Sequence, residues 1–186
     1  MLKANIFLLV PLKRKHLKLW IDLCRRMAEV SNCPRGKFGA IIVDEESNTL
    51  VTSGYNGYLR GGSDLCGGLE ECARDAQKIP SGTAIEVGCV HAEMNAILNS
   101  ARETVSTKGK VIFVNGEPCE MCAKFIVQAG IKCVYVIGNV YRKNGLSLLR
   151  QHHVKVTVLG EGLGDASKKD PSLGWSMTPA RAKKKS

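Results

Sequence analysis

Little in this sequence of 186 residues is aromatic: four Phe, two Trp and four Tyr make up 5% of it. That scarcity argues against a platform on which successive bases of a single strand stack. No stretch approaches the ~20 consecutive apolar residues that a membrane-spanning helix needs. The apolar start, Ile6 to Leu12, is short, contains Pro11 and runs into Lys13-Arg14-Lys15 without a small-residue cleavage site, so export is not expected. Acidic residues are missing from positions 1–18, which hold five basic side chains, and positions 168–186 set six basic side chains against Asp170 alone. The formal charge of +10 belongs to these ends, because residues 19–167 carry 16 basic and 16 acidic side chains. The folded part therefore lacks the charge excess of a broad nucleic-acid face, and the ends read as solvated tails.

What is present suits one soluble domain. The chain is 44% hydrophobic and 24% charged, and long enough to bury a core without disulfide staples. Eight cysteines are many for this length. In the cytoplasmic setting expected here, such thiols more often bind metal or do chemistry than form disulfides.

Leu19, Trp20, Leu23, Met27 and Val30 recur near the 3.6-residue period, which predicts an amphipathic helix over Leu17–Val30. Phe38–Val43 and Thr49–Ser53 read as strands joined by the turn Asp44–Asn48. A polar, glycine-rich region follows from Gly54 to Gly88. Beyond it helices and strands alternate: helix Ala92–Arg102, strand Lys110–Val114, helix Cys119–Ala129, strand Cys133–Gly138, helix Leu146–Gln151 and strand Val154–Leu159. The pattern implies an α/β fold with a mixed or parallel sheet covered on both faces. The expected organisation is a basic extension over 1–16, one domain over 17–160 and a basic tail over 161–186 that has no periodicity.

Two segments carry the chemistry: Cys89-Val90-His91-Ala92-Glu93-Met94-Asn95 and Glu117-Pro118-Cys119-Glu120-Met121-Cys122. A zinc ion that activates water takes three protein ligands and keeps one position open, and His91, Cys119 and Cys122 supply that set. Cys119 and Cys122 are three apart, so on a helix they share a face. Placing both at a helix start, with Pro118 in its first turn, favours thiolates. Glu93 follows His91 by two residues, an offset that aims the carboxylate at the bound water instead of the metal. It would take the water proton and pass it to the ring nitrogen and then to the departing ammonia. A lone Cys-x-x-Cys is more often structural or redox-active, and a lone His-x-Glu says nothing. Together, in this order, they form the signature of zinc deaminases acting on nucleobases.

On these residues the chain resembles the cytidine and deoxycytidylate deaminase superfamily, nearest its dCMP deaminase branch, over Leu17–Leu159. Gly39-Ala40, Gly54-Tyr55-Asn56-Gly57, His91 through Leu98, Ala123-Lys124 and Gln128-Ala129-Gly130-Ile131-Lys132 are also similar. The resemblance implies a three-layer α/β/α fold with a five-stranded mixed sheet, homo-oligomers that are often hexamers, and hydrolysis of dCMP to dUMP and ammonia. It implies that Asn56 touches the nucleoside and that the backbone at Ala92 meets the base carbonyl. Tyr141 falls near an aromatic that lines the pocket in relatives, and equally suits a surface loop. The loop with Gly57, Gly61 and Gly62 is where relatives bind dCTP as activator and dTTP as inhibitor. Arg60, Arg142 and Lys143 are available as phosphate donors, without a choice among them.

Some relatives also carry a structural zinc held by segments before the His-x-Glu helix, where this chain has Cys33, Cys66, Cys72 and Cys89. An all-thiolate zinc there would pin the polar region 54–88, and buried thiols are the alternative. Cys24 and Cys133, in a helix and an apolar strand, read as core residues. Two other functions compete with dCMP deamination. One is deamination of a base in single-stranded DNA or tRNA, or of another cytosine nucleoside or nucleotide, with the basic ends as electrostatic arms for nucleic acid. The other is a non-catalytic zinc module for binding partners, which leaves Glu93 without a role.

Overall fold

The computed structural model describes residues 14–62, 65–66, 71–80, 83, 85, 87–138 and 145–159. The first helix, α1 (Arg14–Glu29), buries Leu17, Trp20, Ile21, Cys24 and Ala28 along one face. It starts three residues before the apolar pattern does. Strands β1 (Gly39–Asp44) and β2 (Thr49–Tyr55) pair antiparallel as the expected hairpin, with an irregularity between Ile42 and Val43. Next come α2 (Ala73–Ala76), α3 (Ala92–Arg102), β3 (Val111–Val114), α4 (Glu120–Gln128), β4 (Cys133–Ile137), α5 (Leu146–Gln151) and β5 (Lys155–Leu159).

The sheet order is β2-β1-β3-β4-β5. β1 runs antiparallel to both neighbours, whereas β3, β4 and β5 are mutually parallel. The parallel pairs are joined through α4 and α5, the crossover that parallel strands require. All four residues of β3 are buried, as are the first five of β1, so both strands read as unbroken apolar runs. Their alternate side chains enter different cores. Ile41, Val43, Val111 and Phe113 pack with α1, while Ala40, Ile42, Ile112 and Val114 pack with α3, α4 and α5. Cys24 and Cys133 are both in the α1 core. Burial holds their thiols up at about 12 and about 11 respectively, protonated and inert. The arrangement is a three-layer α/β/α sandwich with a mixed five-stranded sheet.

One close approach sets the position of the motif helix. A Cβ at Gly54 would lie 2.4 Å from the Ala96 nitrogen and 2.5 Å from the Ala92 oxygen. The missing side chain lets α3 rest directly on β2, which fixes the height of His91, Ala92 and Glu93 above the sheet. The segment between β2 and α3 is tied back at its base by a two-residue bridge, Gly57 to Val90, with N–H···O distances of 3.2 and 2.9 Å. Among the described residues no helix is long and apolar enough to cross a membrane.

Candidate active site

His91 and Cys119 occupy the N-cap positions of α3 and α4. Two helix starts thus meet at one place. His91 Nδ1 lies 3.5 Å from Cys119 Sγ and 3.4 Å from Cys122 Sγ, and the three donor atoms are all within 4.8 Å of one another. Tetrahedral zinc with bonds of ~2.0–2.3 Å has ligand–ligand edges of roughly 3.5 Å, so this spacing and donor chemistry fit zinc. Pro118 sits just outside α4 instead of in its first turn, because Cys119 takes the cap itself. Its sulfur accepts the Cys122 N–H at 3.4 Å. Hydrogen bonding from Cys122 and from His91 holds the Cys119 thiol down at about 4, against the opposing effect of burial. Cys119 is therefore a thiolate at neutral pH, while Cys122, its bonded and more buried neighbour, is pushed up. The same contact with Cys119 raises His91.

Glu93 is buried at 7% exposure. Desolvation raises its carboxyl, and the nearby His91 opposes the rise. Glu93, His91, Cys119 and Ala92 open onto a cavity of about 1020 Å³, with room for a nucleotide.

Cys33, Cys66, Cys72 and Cys89 line the same cavity. Cys66 and Cys72 lie 3.5 Å apart, and Cys89 interacts with both Cys33 and Cys66. All eight cysteines of the chain are unpaired thiols. The four loop thiols form a chain of contacts, not a compact set: among the described residues only His91, Cys119 and Cys122 have all donors mutually within 4.8 Å. Burial and the neighbouring thiols raise Cys89. Cys72 is lowered: its burial is outweighed by the N–H groups of Arg74 and Asp75 at the start of α2 and by Cys66.

Asn56 is buried in the cavity wall, with its amide directed at backbone. Its Oδ1 accepts the Phe38 N–H at 2.7 Å and its Nδ2 donates to the Gly36 carbonyl at 2.9 Å. Gly57 is in the bridge, and Gly61 and Gly62 form an exposed turn, Gly61 with a φ of +74°. Arg60 donates to Asn99 on the surface and does not line the cavity. Tyr141, Arg142 and Lys143 lie outside the described residues.

Sequence reasoning missed three wall residues, Asn115, Arg35 and Arg74, and Ser31, which is buried behind the wall. Ser31 donates to the Asn56 carbonyl at 2.7 Å, and Asn115 clamps Gly39 N–H and the Lys37 carbonyl. Arg35 and Arg74 also line the cavity. Each arginine follows a loop cysteine by two residues, in Cys33-Pro34-Arg35 and Cys72-Ala73-Arg74, and that repeated pairing was the available signal.

The profile of the cytidine and deoxycytidylate deaminase zinc-binding region matches residues 14–138. The chain belongs to this deaminase family. Its zinc-binding region contains the whole His91, Cys119 and Cys122 set. ComE operon protein 2 of Bacillus subtilis is 39% identical over 110 residues, covering 56% of this chain and 50% of that protein. A probable deoxycytidylate deaminase of Drosophila melanogaster is 35% identical, covering 69% of this chain and 64% of that one. The chain thus spans between half and two thirds of the length of these curated relatives. A crystal structure of the dCMP deaminase of cyanophage S-TIM5 in complex with dCMP and dUMP superposes with a TM-score of 0.65 at 32% identity. That match covers 79% of this chain and 98% of the phage protein, so the deaminase family's sandwich accounts for the described domain.

Proposed function

We propose that this chain is a zinc-dependent aminohydrolase that converts dCMP and water to dUMP and ammonia. The observation that carries the reading is Glu93, a carboxyl buried beside three zinc donors and facing a nucleotide-sized cavity. Support also comes from the phage relative crystallised with dCMP and dUMP, the two ends of this conversion. Held by His91, Cys119 and Cys122, zinc supplies an activated water near neutral pH. The reaction forms a C4–O bond and breaks the C4–N4 bond. Glu93 takes a proton from the water, delivers it to the ring nitrogen N3, and moves a second proton to the leaving amine. Its raised pKa suits both directions of transfer. Ala92 at the start of α3 meets the base carbonyl. Asn56 shapes the wall through the backbone of residues 36–38 and keeps one N–H for the sugar. Tyr141 is a substrate contact in the same reading, on the resemblance alone.

The four loop thiols hold a second, structural zinc that draws Cys33, Cys66, Cys72 and Cys89 together. Metal analysis should give two zinc ions per chain, and a single one would rule the second site out. The reading extends to a cytoplasmic homo-oligomer, hexamer favoured, with dCTP and dTTP acting at the turn of Gly57, Gly61 and Gly62. It also treats residues 1–16 and 161–186 as basic extensions of the catalytic domain.

Ammonia release from zinc-loaded protein tests the reaction, with dCMP, deoxycytidine, CMP, cytidine, guanine, adenosine and a cytosine-containing single strand as substrates, each with and without dCTP or dTTP. dCMP should be preferred. Glu93→Gln should keep its zinc and lose about 10²–10⁴-fold in turnover, the range for a general acid–base group. Equal turnover in the variant would end the mechanism, and activity confined to the strand or a purine would replace the substrate.

A further inference from the structure

Among the described residues β2 is an edge strand, with β1 as its one neighbour in the sheet. Asn56 donates its N–H to the Phe38 carbonyl at 3.0 Å on the β1 side, so by strand alternation the carbonyls of Tyr55 and Ser53 point to the open side. Two asparagines of α3, one helical turn apart, reach over that edge. Asn95 Nδ2 donates to the Tyr55 carbonyl at 2.7 Å, and Asn99 Nδ2 donates to the Ser53 carbonyl at 2.8 Å. Gly54 lies between the two acceptors, and its bare Cα lets the helix come within their reach.

The two bonds are chemically alike but hold different parts of the helix. Asn95 closes the first turn, because its own N–H donates to the His91 carbonyl at 2.9 Å. That turn carries His91, Ala92 and Glu93, whose N–H groups have no backbone acceptor within the helix. It also has no side-chain cap, since the His91 ring is turned to Cys119 and Cys122 instead. Asn95 therefore ties the turn that bears the carboxyl both to its own cap residue and to the sheet. Through Tyr55 the tie reaches Asn56, the next residue and part of the cavity wall. Asn99 anchors the following turn, with its Oδ1 taken by Arg60.

We propose that Asn95 is a positioning residue for the deamination, bolting the first turn of α3 to the sheet edge and so holding the Glu93 carboxyl in a fixed place beside the zinc donors. The effect is one of geometry. Proton transfer needs the carboxyl within hydrogen-bond reach, and a displacement of about 1 Å is enough to cost a large factor in rate. Substrate binding is spread over the cavity wall and depends on this turn less. The proposal rests on Glu93 moving protons in the reaction proposed above.

The test uses full-length, zinc-loaded protein and compares Asn95→Ala with Asn99→Ala, a pair that loses the same kind of bond and gains the same helix propensity. The two should change the melting temperature alike, to within about 2 °C. On dCMP, Asn95→Ala should lose roughly 10- to 100-fold in kcat with KM within about 3-fold of wild type, and Asn99→Ala should lose no more than about 3-fold in kcat. Equal kcat losses in the two variants, a loss carried by KM, or undiminished turnover in Asn95→Ala would overturn the assignment. If Asn95→Ala does not fold, Asn95→Ser, which also lacks the amide, takes its place under the same criteria. Activity confined to another base would replace the substrate, and the same comparison would then run on that base. Full turnover in Glu93→Gln, or a wild type that deaminates no base, would sink the parent reading separately. Asn95 would then stand or fall on zinc release to a chelator, which should be faster from Asn95→Ala than from Asn99→Ala, and equal rates would refute the tie.

Discussion

The three donors His91, Cys119 and Cys122 and the four thiols Cys33, Cys66, Cys72 and Cys89 share one cavity and differ in what holds them. The first set is mounted on the starts of α3 and α4, which rest on a sheet buried on both faces. Its donors already stand at the spacing of a metal tetrahedron. The second set hangs on loops and one helix of four residues, and its thiols touch in series. Chemistry needs a site whose geometry precedes its ligand. A site that orders a polar segment can let the ligand complete the geometry, because there binding energy is folding energy.

Paired substitutions press this contrast hardest. Cys119→Ala should reduce turnover to background while costing stability only the cap on α4, about 1 kcal/mol, since the core beneath that helix does not depend on the thiol. Cys72→Ala should do the reverse, lowering the melting temperature and leaving measurable turnover. Activity assays beside thermal denaturation decide it, and the opposite pattern would show that the loop set is the one chemistry depends on.

Alkylation of the metal-free protein should separate the sets by pH. Cys119, held at about 4, is ionised at every pH above roughly 5, so its labelling by iodoacetamide should be nearly flat from pH 5 to 8 and fall only as pH drops through 4. Cys89, raised by burial and neighbouring thiols, stays protonated across that range and should label slowly. Peptide mass spectrometry reads both, and zinc should protect Cys119. Equal rates at pH 6 would remove the electrostatic distinction.

The smallest expected effect lies where the sets adjoin. Ser31 donates to the Asn56 carbonyl at 2.7 Å and accepts the Cys33 N–H at 3.2 Å, so it joins the pocket wall to the loop thiols. Ser31→Ala leaves both partners short of a bond and should cost about 1–3 kcal/mol in denaturant unfolding. An unchanged midpoint would mean that the loop carries no strain into the wall.

The same contrast explains what could be read in advance. α3 ends where the sequence pattern put it, Ala92 to Arg102, because a polar start and an apolar face coincide there. The zinc donors were legible because their spacing is local. α1 begins at Arg14, ahead of its apolar stripe, because the run Arg14-Lys15-His16 adds no apolar residue to the hydrophobic period. α2 is too short to show a period. Ser31 was silent because its partner Asn56 is brought to it only by the fold, and Arg74 showed no more than its spacing from Cys72, its partners Thr83 and Gly88 being set by the fold as well. Asn56 stood out as a contact for substrate, yet its amide is directed first at Phe38 and Gly36.

The Gly57–Val90 bridge holds the 32 residues between its two members with two backbone hydrogen bonds. Closing a loop of that length carries an entropy cost of ~3 kcal/mol plus a constant, against roughly 1 kcal/mol net from each bond. The bridge alone is thus a latch near its own midpoint, able to open while the sheet stays intact. His91 is the next residue after Val90. His91 nevertheless caps α3, which rests on β2, so opening the bridge would loosen the approach to this donor and leave the donor itself in place.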